Sequence, residues 1–213
     1  MTGPSLSGAH WDALVALLEE ARERGLVGPG DVERHLRHAL AFGEAVGRPL
    51  PRPALDLGSG AGLPGLALAM ADPRSHWVLL DGRVRSAEFL EEAVGRLGLD
   101  GRARVAGERA EVAARSGLRA TLALVVARGV GPPAAPAECA AGFLAPGGLL
   151  VVSEAPQPEP DRWPPGGLDQ LGMAPAELVE TPGGLHFARI EQRHLAPDRF
   201  PRRTGQPFKR PLF

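Results

Sequence analysis

The sequence predicts an α/β fold with a doubly wound, mostly parallel sheet. Short apolar runs alternate with amphipathic helical segments along the middle of the chain, as in consecutive βαβ units. The apolar run Ala54–Leu57 passes into a turn with glycines at positions 58, 60 and 62, and an apolar helical segment follows. In open α/β sheets, a strand that continues into a helix through glycines borders a ligand-binding crevice. We therefore expect the ligand site at this turn.

Hydrophobic spacing defines the other elements of the sheet. We expect a hairpin formed by residues 177–181 and 185–191, which would bring the sheet to seven strands with one reversed strand. Pro146-Gly147-Gly148 predicts a turn, and the proline-rich residues 154–167 predict an extended loop anchored by Trp163. The remaining strands are predicted at 54–57, 77–80, 103–106, 122–127 and 149–153, with helices at 83–97, 108–116 and 133–144.

Two amphipathic helices are predicted before the first strand, one ending near Gly25 and one beginning near Asp31. His35 and His38 lie three positions apart on the second helix, but no third ligand follows nearby, so we expect no metal site. The predicted organisation is an N-terminal helical extension (1–50), a ligand-binding domain (51–195) and a basic C-terminal tail (196–213).

Charge is distributed unevenly along the 213 residues. The formal net charge is −1, yet residues 189–213 contain seven basic and two acidic side chains, so the rest of the chain carries −6. A basic end on an acidic body favours contact with a polyanion.

The single cysteine, Cys139, excludes an intrachain disulfide, and no apolar run approaches 18 residues. We expect a cytoplasmic protein without a signal peptide or a membrane segment.

The glycines permit two interpretations of the ligand. Gly60-x-Gly62-x-x-Gly65, with Asp81 about 20 residues further on, fits the dinucleotide pattern. The acid-x-Gly-x-Gly-x-Gly arrangement that begins at Asp56 instead resembles S-adenosylmethionine (SAM) methyltransferases, as do the Pro-Gly-Gly segment and the terminal hairpin. Asp81 would accept hydrogen bonds from ribose hydroxyls under either interpretation. The combined features favour SAM.

Residues 56–65 (Asp-Leu-Gly-Ser-Gly-Ala-Gly-Leu-Pro-Gly) are similar to the RsmG (GidB) family. Four further stretches support the resemblance, which covers the chain from about residue 30 onward: Glu33-Arg34-His35-Leu36, Arg109-Ala110-Glu111, Ala127-Arg128-Gly129-Val130 and residues 200–212. The resemblance implies a class I, Rossmann-like SAM methyltransferase that modifies N7 of a guanosine in 16S rRNA. The implied partner is 16S rRNA or the small ribosomal subunit, and we expect a monomer.

The resemblance also implies site residues. Arg128 would lie between the cofactor and the target base, as a cofactor-binding and catalytic residue. Ala110 and Glu111 would contact the adenine side of the cofactor largely through their backbone. The other expected cofactor-binding residues are Asp56, Gly58, Gly60, Gly62, Leu63 and Asp81. The expected RNA-binding residues are Arg202, Arg203, Lys209 and Arg210.

Three alternatives stay open at this point. Ser153-Glu154 replaces a Lys-Gly pair common in the family, and residues 156–166 are unusually rich in proline. These differences favour either a divergent paralogue that methylates another RNA or a small molecule, or a non-catalytic module that binds SAM and rRNA. A nicotinamide enzyme is the third alternative.

Overall fold

The computed structural model describes residues 5–47 and 49–213. At its centre is a seven-stranded sheet in the order β3-β2-β1-β4-β5-β7-β6. β7 runs antiparallel to both of its neighbours, whereas the pairs among β1 to β5 are parallel. The predicted sheet with one reversed strand is therefore confirmed. The strands are β1 (Ala54–Leu57), β2 (Trp77–Leu80), β3 (Ala103–Ala106), β4 (Leu122–Ala127), β5 (Leu144–Ser153), β6 (Glu177–Glu180) and β7 (His186–Glu191).

The helices begin and end at local signals. The Ser7 hydroxyl caps the first helix and the Asp31 carboxylate caps the second. The fifth helix is shorter than the predicted 108–116, because residues 115–119 continue as separate i→i+3 turns. The helices are α1 (Gly8–Glu23), α2 (Val32–Val46), α3 (Gly65–Ala71), α4 (Val84–Arg96), α5 (Ala110–Ala113), α6 (Ala134–Phe143), α7 (Pro165–Asp169) and α8 (Gln206–Lys209).

The Pro-Gly-Gly segment at 146–148 is not a separate turn before the fifth strand, as the sequence predicts. It lies inside β5, where the pairing with β4 shifts register between Leu122 and Leu124. The Gly147 N–H donates to the Gln192 carbonyl at 2.7 Å, so the segment stays hydrogen bonded to the chain after β7. A side chain at Gly148 would put Cβ 2.8 Å from the Ala145 carbonyl oxygen, which explains the glycine there.

Helices cover both faces of the sheet, as the doubly wound prediction requires. On one face α1, α2, α3 and α4 share a core that includes Leu14, Phe42 and Phe89. On the other face α5, α6 and α7 pack with residues of the C-terminal tail such as Phe200. Cys139 is buried in this second core. The division of the chain at residues 50 and 195 stays a prediction.

The proline-rich segment is partly helical, since a 3-10 turn (Pro160–Arg162) and α7 interrupt the predicted loop. Trp163 is buried, and its indole N–H donates to the Glu154 carboxylate at 2.8 Å. Glu154 is itself buried and also pairs with Arg162 at 2.8 Å. The Glu154 carboxylate is therefore turned inward and paired with a cation. In the described part of the chain, none of the helices is long and apolar enough to span a membrane.

Candidate functional site

The glycine turn lies at the carboxyl end of β1 and is fixed to the neighbouring strand. The backbone N–H groups of Gly58 and Ser59 both donate to the Leu80 carbonyl, at 2.8 and 2.9 Å. Gly58 has φ of +70°, and a Cβ there would approach the Val130 side chain to 3.1 Å. Glycine at this position therefore satisfies both the backbone conformation and the narrow space beside Val130.

Asp56 lies beneath this turn and supports it. Its Oδ2 accepts a hydrogen bond from the Gly65 N–H at 2.9 Å, at the start of α3, whereas its buried Oδ1 has no partner among the described residues. Burial raises the pKa of Asp56 to about 7. A Cβ at Gly65 would lie 2.8 Å from Oδ2, so Gly65 permits the close approach of helix and strand. Asp56 thus positions α3 from below the turn.

Asp81 joins the end of β2 to the glycine turn. Its Oδ2 accepts from the Gly60 N–H at 2.9 Å, and its Oδ1 accepts from the Arg83 N–H at 2.9 Å. The Arg83 guanidinium also contacts the carboxylate, at 3.2 Å through both Nε and Nη2. The Arg83 side chain is 66% exposed, so it can leave the carboxylate without disturbing the core.

Two cavities meet at the carboxyl ends of β1, β2 and β4. The first cavity, about 260 Å³, is lined by residues 57–58, 80–83, 108–111, 129–130 and Phe208. The second cavity, about 420 Å³, is lined by residues 26–28, His35, 58–61, Leu63, Arg83 and 128–129. Gly58, Arg83 and Gly129 line both, so the two cavities adjoin each other. This arrangement suits transfer of a group between two bound molecules.

The structure distributes the expected cofactor residues between these cavities. Gly58, Asp81, Ala110 and Glu111 line the first cavity. Gly58, Gly60, Leu63 and Arg128 line the second cavity. Asp56 and Gly62 line neither. Gly62 is needed for packing, because a Cβ there would lie 2.2 Å from the Leu66 Cδ1 atom.

Arg128 is held by the second helix. Its Nη2 lies 2.7 Å from Nδ1 of His35, and its Nη1 donates to the His35 carbonyl at 3.4 Å. Burial lowers the pKa of Arg128, and the negative charge of Asp56 opposes that shift. Two other acids of the site are paired with different arginines, Asp81 with Arg83 and Glu111 with Arg109. The family resemblance predicts Arg128 at the crevice, but nothing in the sequence indicates that His35 holds it.

Phe208 is a site residue that the sequence analysis missed. The buried Glu111 carboxylate accepts from the Gly205 N–H at 2.6 Å, which brings α8 against the first cavity. Phe208 on α8 lines that cavity, and the Arg109 guanidinium lies 5.6 Å from its ring centroid. An aromatic side chain inside a basic tail was the available signal for a ligand contact.

The four basic tail residues expected to bind RNA fall into two groups. Arg203, Lys209 and Arg210 are exposed. Arg202 instead pairs with Glu138, whose side chain is fully buried. Arg202 therefore holds the tail against α6, and the other three present positive charge to solvent.

Within residues 5–47 and 49–213, no three His, Cys, Asp or Glu side chains are grouped so as to hold a metal ion.

A family described as "GidB: rRNA small subunit methyltransferase G" matches residues 13–161. The chain belongs to this family. The GidB match includes His35, the glycine turn and Arg128, and it ends before the tail that carries Phe208 and the exposed basic residues.

Curated relatives carry the same family description. A "Ribosomal RNA small subunit methyltransferase G" from Prochlorococcus marinus is 36% identical over 173 residues, covering 74% of this chain and 65% of the relative. A protein of the same name from Acidothermus cellulolyticus is 36% identical over 155 residues, covering 69% of this chain and 66% of the relative. The chain thus spans just under two thirds of the length of these relatives.

Solved structures share the fold of this GidB-family chain. An O-methyltransferase from Bacillus cereus, in complex with SAH, superposes with a TM-score of 0.57 at 13% identity, covering 85% of this chain and 91% of that one. A putative O-methyltransferase from Klebsiella pneumoniae gives a TM-score of 0.54 at 14% identity, covering 88% and 91%. These similarities confirm the class I methyltransferase fold.

Proposed function

We propose that this chain is a SAM-dependent methyltransferase that methylates N7 of a guanosine in 16S rRNA. We further propose that it acts in the cytoplasm as a monomer, on 16S rRNA or on the small ribosomal subunit. The observation that carries the proposal is the pair of adjoining cavities at the glycine turn, in a chain of the rRNA small subunit methyltransferase G family.

The first cavity fits the nucleoside part of the cofactor. Asp81 offers a carboxylate to ribose hydroxyls once the exposed Arg83 side chain moves aside. Ala110 and Phe208 supply apolar contacts suited to a purine. Gly58, which borders both cavities, leaves room for the cofactor to extend toward the second cavity. Bound there, SAM would supply an electrophilic methyl group.

The second cavity fits the methyl acceptor. Guanine N7 has a lone pair and no proton, so its methylation requires no general base. The protein then has to orient the base, exclude water and align the reacting atoms. Arg128 lines this cavity and can donate hydrogen bonds to guanine O6, which lies beside N7 on the same edge of the base. A base within folded RNA must be exposed or flipped out to reach such a pocket.

Two features of the surface support an RNA substrate over a small molecule. Arg203, Lys209 and Arg210 are exposed on or beside α8, the helix that also lines the first cavity. Glu154, the residue that most favoured a different substrate, is buried and paired with Arg162 and Trp163. The substituted acid therefore presents no negative charge to a phosphate backbone.

Transfer of a labelled methyl group tests the proposal. The protein is incubated with methyl-labelled SAM and small ribosomal subunits that lack the modification, beside an Asp81→Ala variant as the inactive control. We expect label in 16S rRNA that is released on digestion as 7-methylguanosine. An Arg104→Ala variant, altered at an exposed position on β3, should label as well as the wild type.

Each alternative has its own outcome in this design. Label that enters another RNA or a small molecule, but not 16S rRNA, would identify the divergent paralogue. Thermal stabilisation by SAM without transfer to any acceptor would identify the binding module. Stabilisation by NAD alone would reject the SAM interpretation.

A further inference from the structure

Arg128 and His35 join two elements that are distant in the chain. Arg128 follows β4 and His35 lies on α2, 93 positions earlier. The Nη2–Nδ1 distance is 2.7 Å, and Nη1 lies 3.4 Å from the carbonyl oxygen of the same histidine. Among the described residues, His35 accepts both of the hydrogen bonds that Arg128 makes. Both side chains line the second cavity.

The proton positions of this pair follow from the chemistry of its two groups. A guanidinium carries five N–H donors and no acceptor. Nδ1 of His35 must therefore provide the lone pair, which places the ring proton of a neutral imidazole on Nε2. Nε2 is buried and has no partner in residues 5–47 and 49–213. The histidine is thus held in an orientation that satisfies Arg128 and leaves its own second nitrogen unpaired.

Charged and titratable groups surround the pair, but among the described residues only His35 accepts a hydrogen bond from the Arg128 side chain. Asp56 acts on Arg128 through its charge, without a hydrogen bond. His38 faces the pair from the next turn of α2, and burial lowers its pKa to about 4, so it stays neutral at pH 7. Arg34 adds positive charge at the same place. Among these groups, His35 supplies the hydrogen-bond acceptor that the half-buried arginine needs.

We propose that His35 is a positioning residue of the methyl-acceptor site, and that it holds the Arg128 guanidinium for recognition of the guanine edge. Two N–H groups of Arg128 bond to His35, which leaves three for an acceptor in the second cavity. Guanine presents the acceptors N7 and O6 on this edge, whereas adenine presents a donor in place of O6. An Arg128 guanidinium held in place therefore favours guanine over adenine, because it can donate to O6 of guanine. The inference rests on the proposed function.

A pair of matched variants tests this role. His35→Asn keeps an acceptor, because its side-chain oxygen can occupy the place of Nδ1. His35→Phe keeps a planar ring and removes the acceptor. We expect kcat for methyl transfer to small subunits to fall about 10- to 100-fold in His35→Phe, since small displacements of a positioning group have effects of this size. His35→Asn should stay within about threefold of the wild type.

A second background shows whether His35 acts through Arg128. In an Arg128→Ala protein the partner is already gone, so His35→Phe should produce no further loss of kcat. Calorimetric titration with SAM should give the same Kd for wild type, His35→Asn and His35→Phe, because the first cavity is unchanged. If His35→Phe does not fold, His35→Gln replaces it, since its polar atoms extend to the Nε2 position instead of Nδ1.

The outcomes separate this inference from the proposed function. A wild-type protein that does not label 16S rRNA overturns the proposed function and the positioning role together. A wild-type protein that labels 16S rRNA while His35→Asn and His35→Phe have equal kcat overturns the positioning role alone. An additional loss from His35→Phe in the Arg128→Ala background also overturns it.

Discussion

Arg202 and Glu138 form a bidentate ion pair that connects the C-terminal tail to α6. The guanidinium donates to both carboxylate oxygens, through Nε at 3.0 Å and through Nη2 at 2.7 Å. The Arg202 backbone N–H adds a third donor, at 2.6 Å from Oε1. Because the Glu138 side chain is fully buried, this pair determines where the tail leaves the core.

Arg202→Ala should destabilise the fold strongly. It leaves the Glu138 carboxylate buried without its cation, and loss of one partner from a buried pair typically costs about 3–5 kcal/mol. The neighbouring Arg203 is exposed, so Arg203→Ala should change the free energy of unfolding by less than about 0.5 kcal/mol. Urea denaturation of both variants checks the difference. Equal stabilities would mean that the pair does not anchor the tail.

The exposed tail residues should instead affect RNA affinity. Arg203→Ala, Lys209→Ala and Arg210→Ala should each weaken binding of small-subunit RNA. If each residue contacts one phosphate, the slope of log Kd against log salt should decrease by roughly 0.7–0.9 per substitution. Filter binding at several salt concentrations measures this slope, with Arg104→Ala as the control on the exposed side of β3. An unchanged slope in all three variants would place the RNA path elsewhere.

Much of the sheet could be predicted because each strand is marked by residues that are close together in the sequence. β1 to β4 are short, mostly apolar runs bounded by prolines, glycines or charged residues, and the structure places all four where the sequence predicts them. The Pro-Gly-Gly segment shows the limit of such signals. Instead of a separate turn, these residues form an irregularity within β5, where the register with β4 shifts and where Gly147 and Gly148 exchange hydrogen bonds with Gln192, just after β7.

The site was only partly predictable because its contacts join distant parts of the chain. The Glu111–Gly205 and Arg202–Glu138 pairs span 94 and 64 positions, and no local periodicity reports either one. As a result, Arg202 was predicted among the RNA-binding residues although it pairs with a buried acid. Asp56 is a second example. The sequence motif contains both Asp56 and its hydrogen-bond partner Gly65, but it does not show that Asp56 lines neither cavity.

Asp56 should make stability depend on pH. Its ordinary pKa is 3.8, and burial raises the pKa to about 7 in the folded protein. Between about pH 4 and pH 7 the unfolded chain loses this proton and the folded chain keeps it, so the contribution of Asp56 to stability falls as pH rises. The full loss is up to about 4 kcal/mol, at about 1.4 kcal/mol for every pH unit.

Asp56→Asn removes this titration and keeps an oxygen for the Gly65 N–H. The variant should therefore gain stability relative to the wild type as pH rises from 5 to 8. Urea unfolding at both pH values measures the gain. Asp100→Asn, at an exposed position, serves as the control and should follow the wild type. Parallel stability curves for Asp56→Asn and the wild type would contradict the raised pKa.

Phe208→Ala should weaken cofactor binding. Phe208 lines the first cavity from α8, and an aromatic ring against a nucleobase typically contributes about 1–3 kcal/mol. We therefore expect the Kd for SAM or SAH to rise by about fivefold or more in calorimetric titrations. The matched control is Phe213→Ala, since Phe213 packs near Gly167 and does not line this cavity. Similar Kd values for the two variants would place the cofactor's base away from α8.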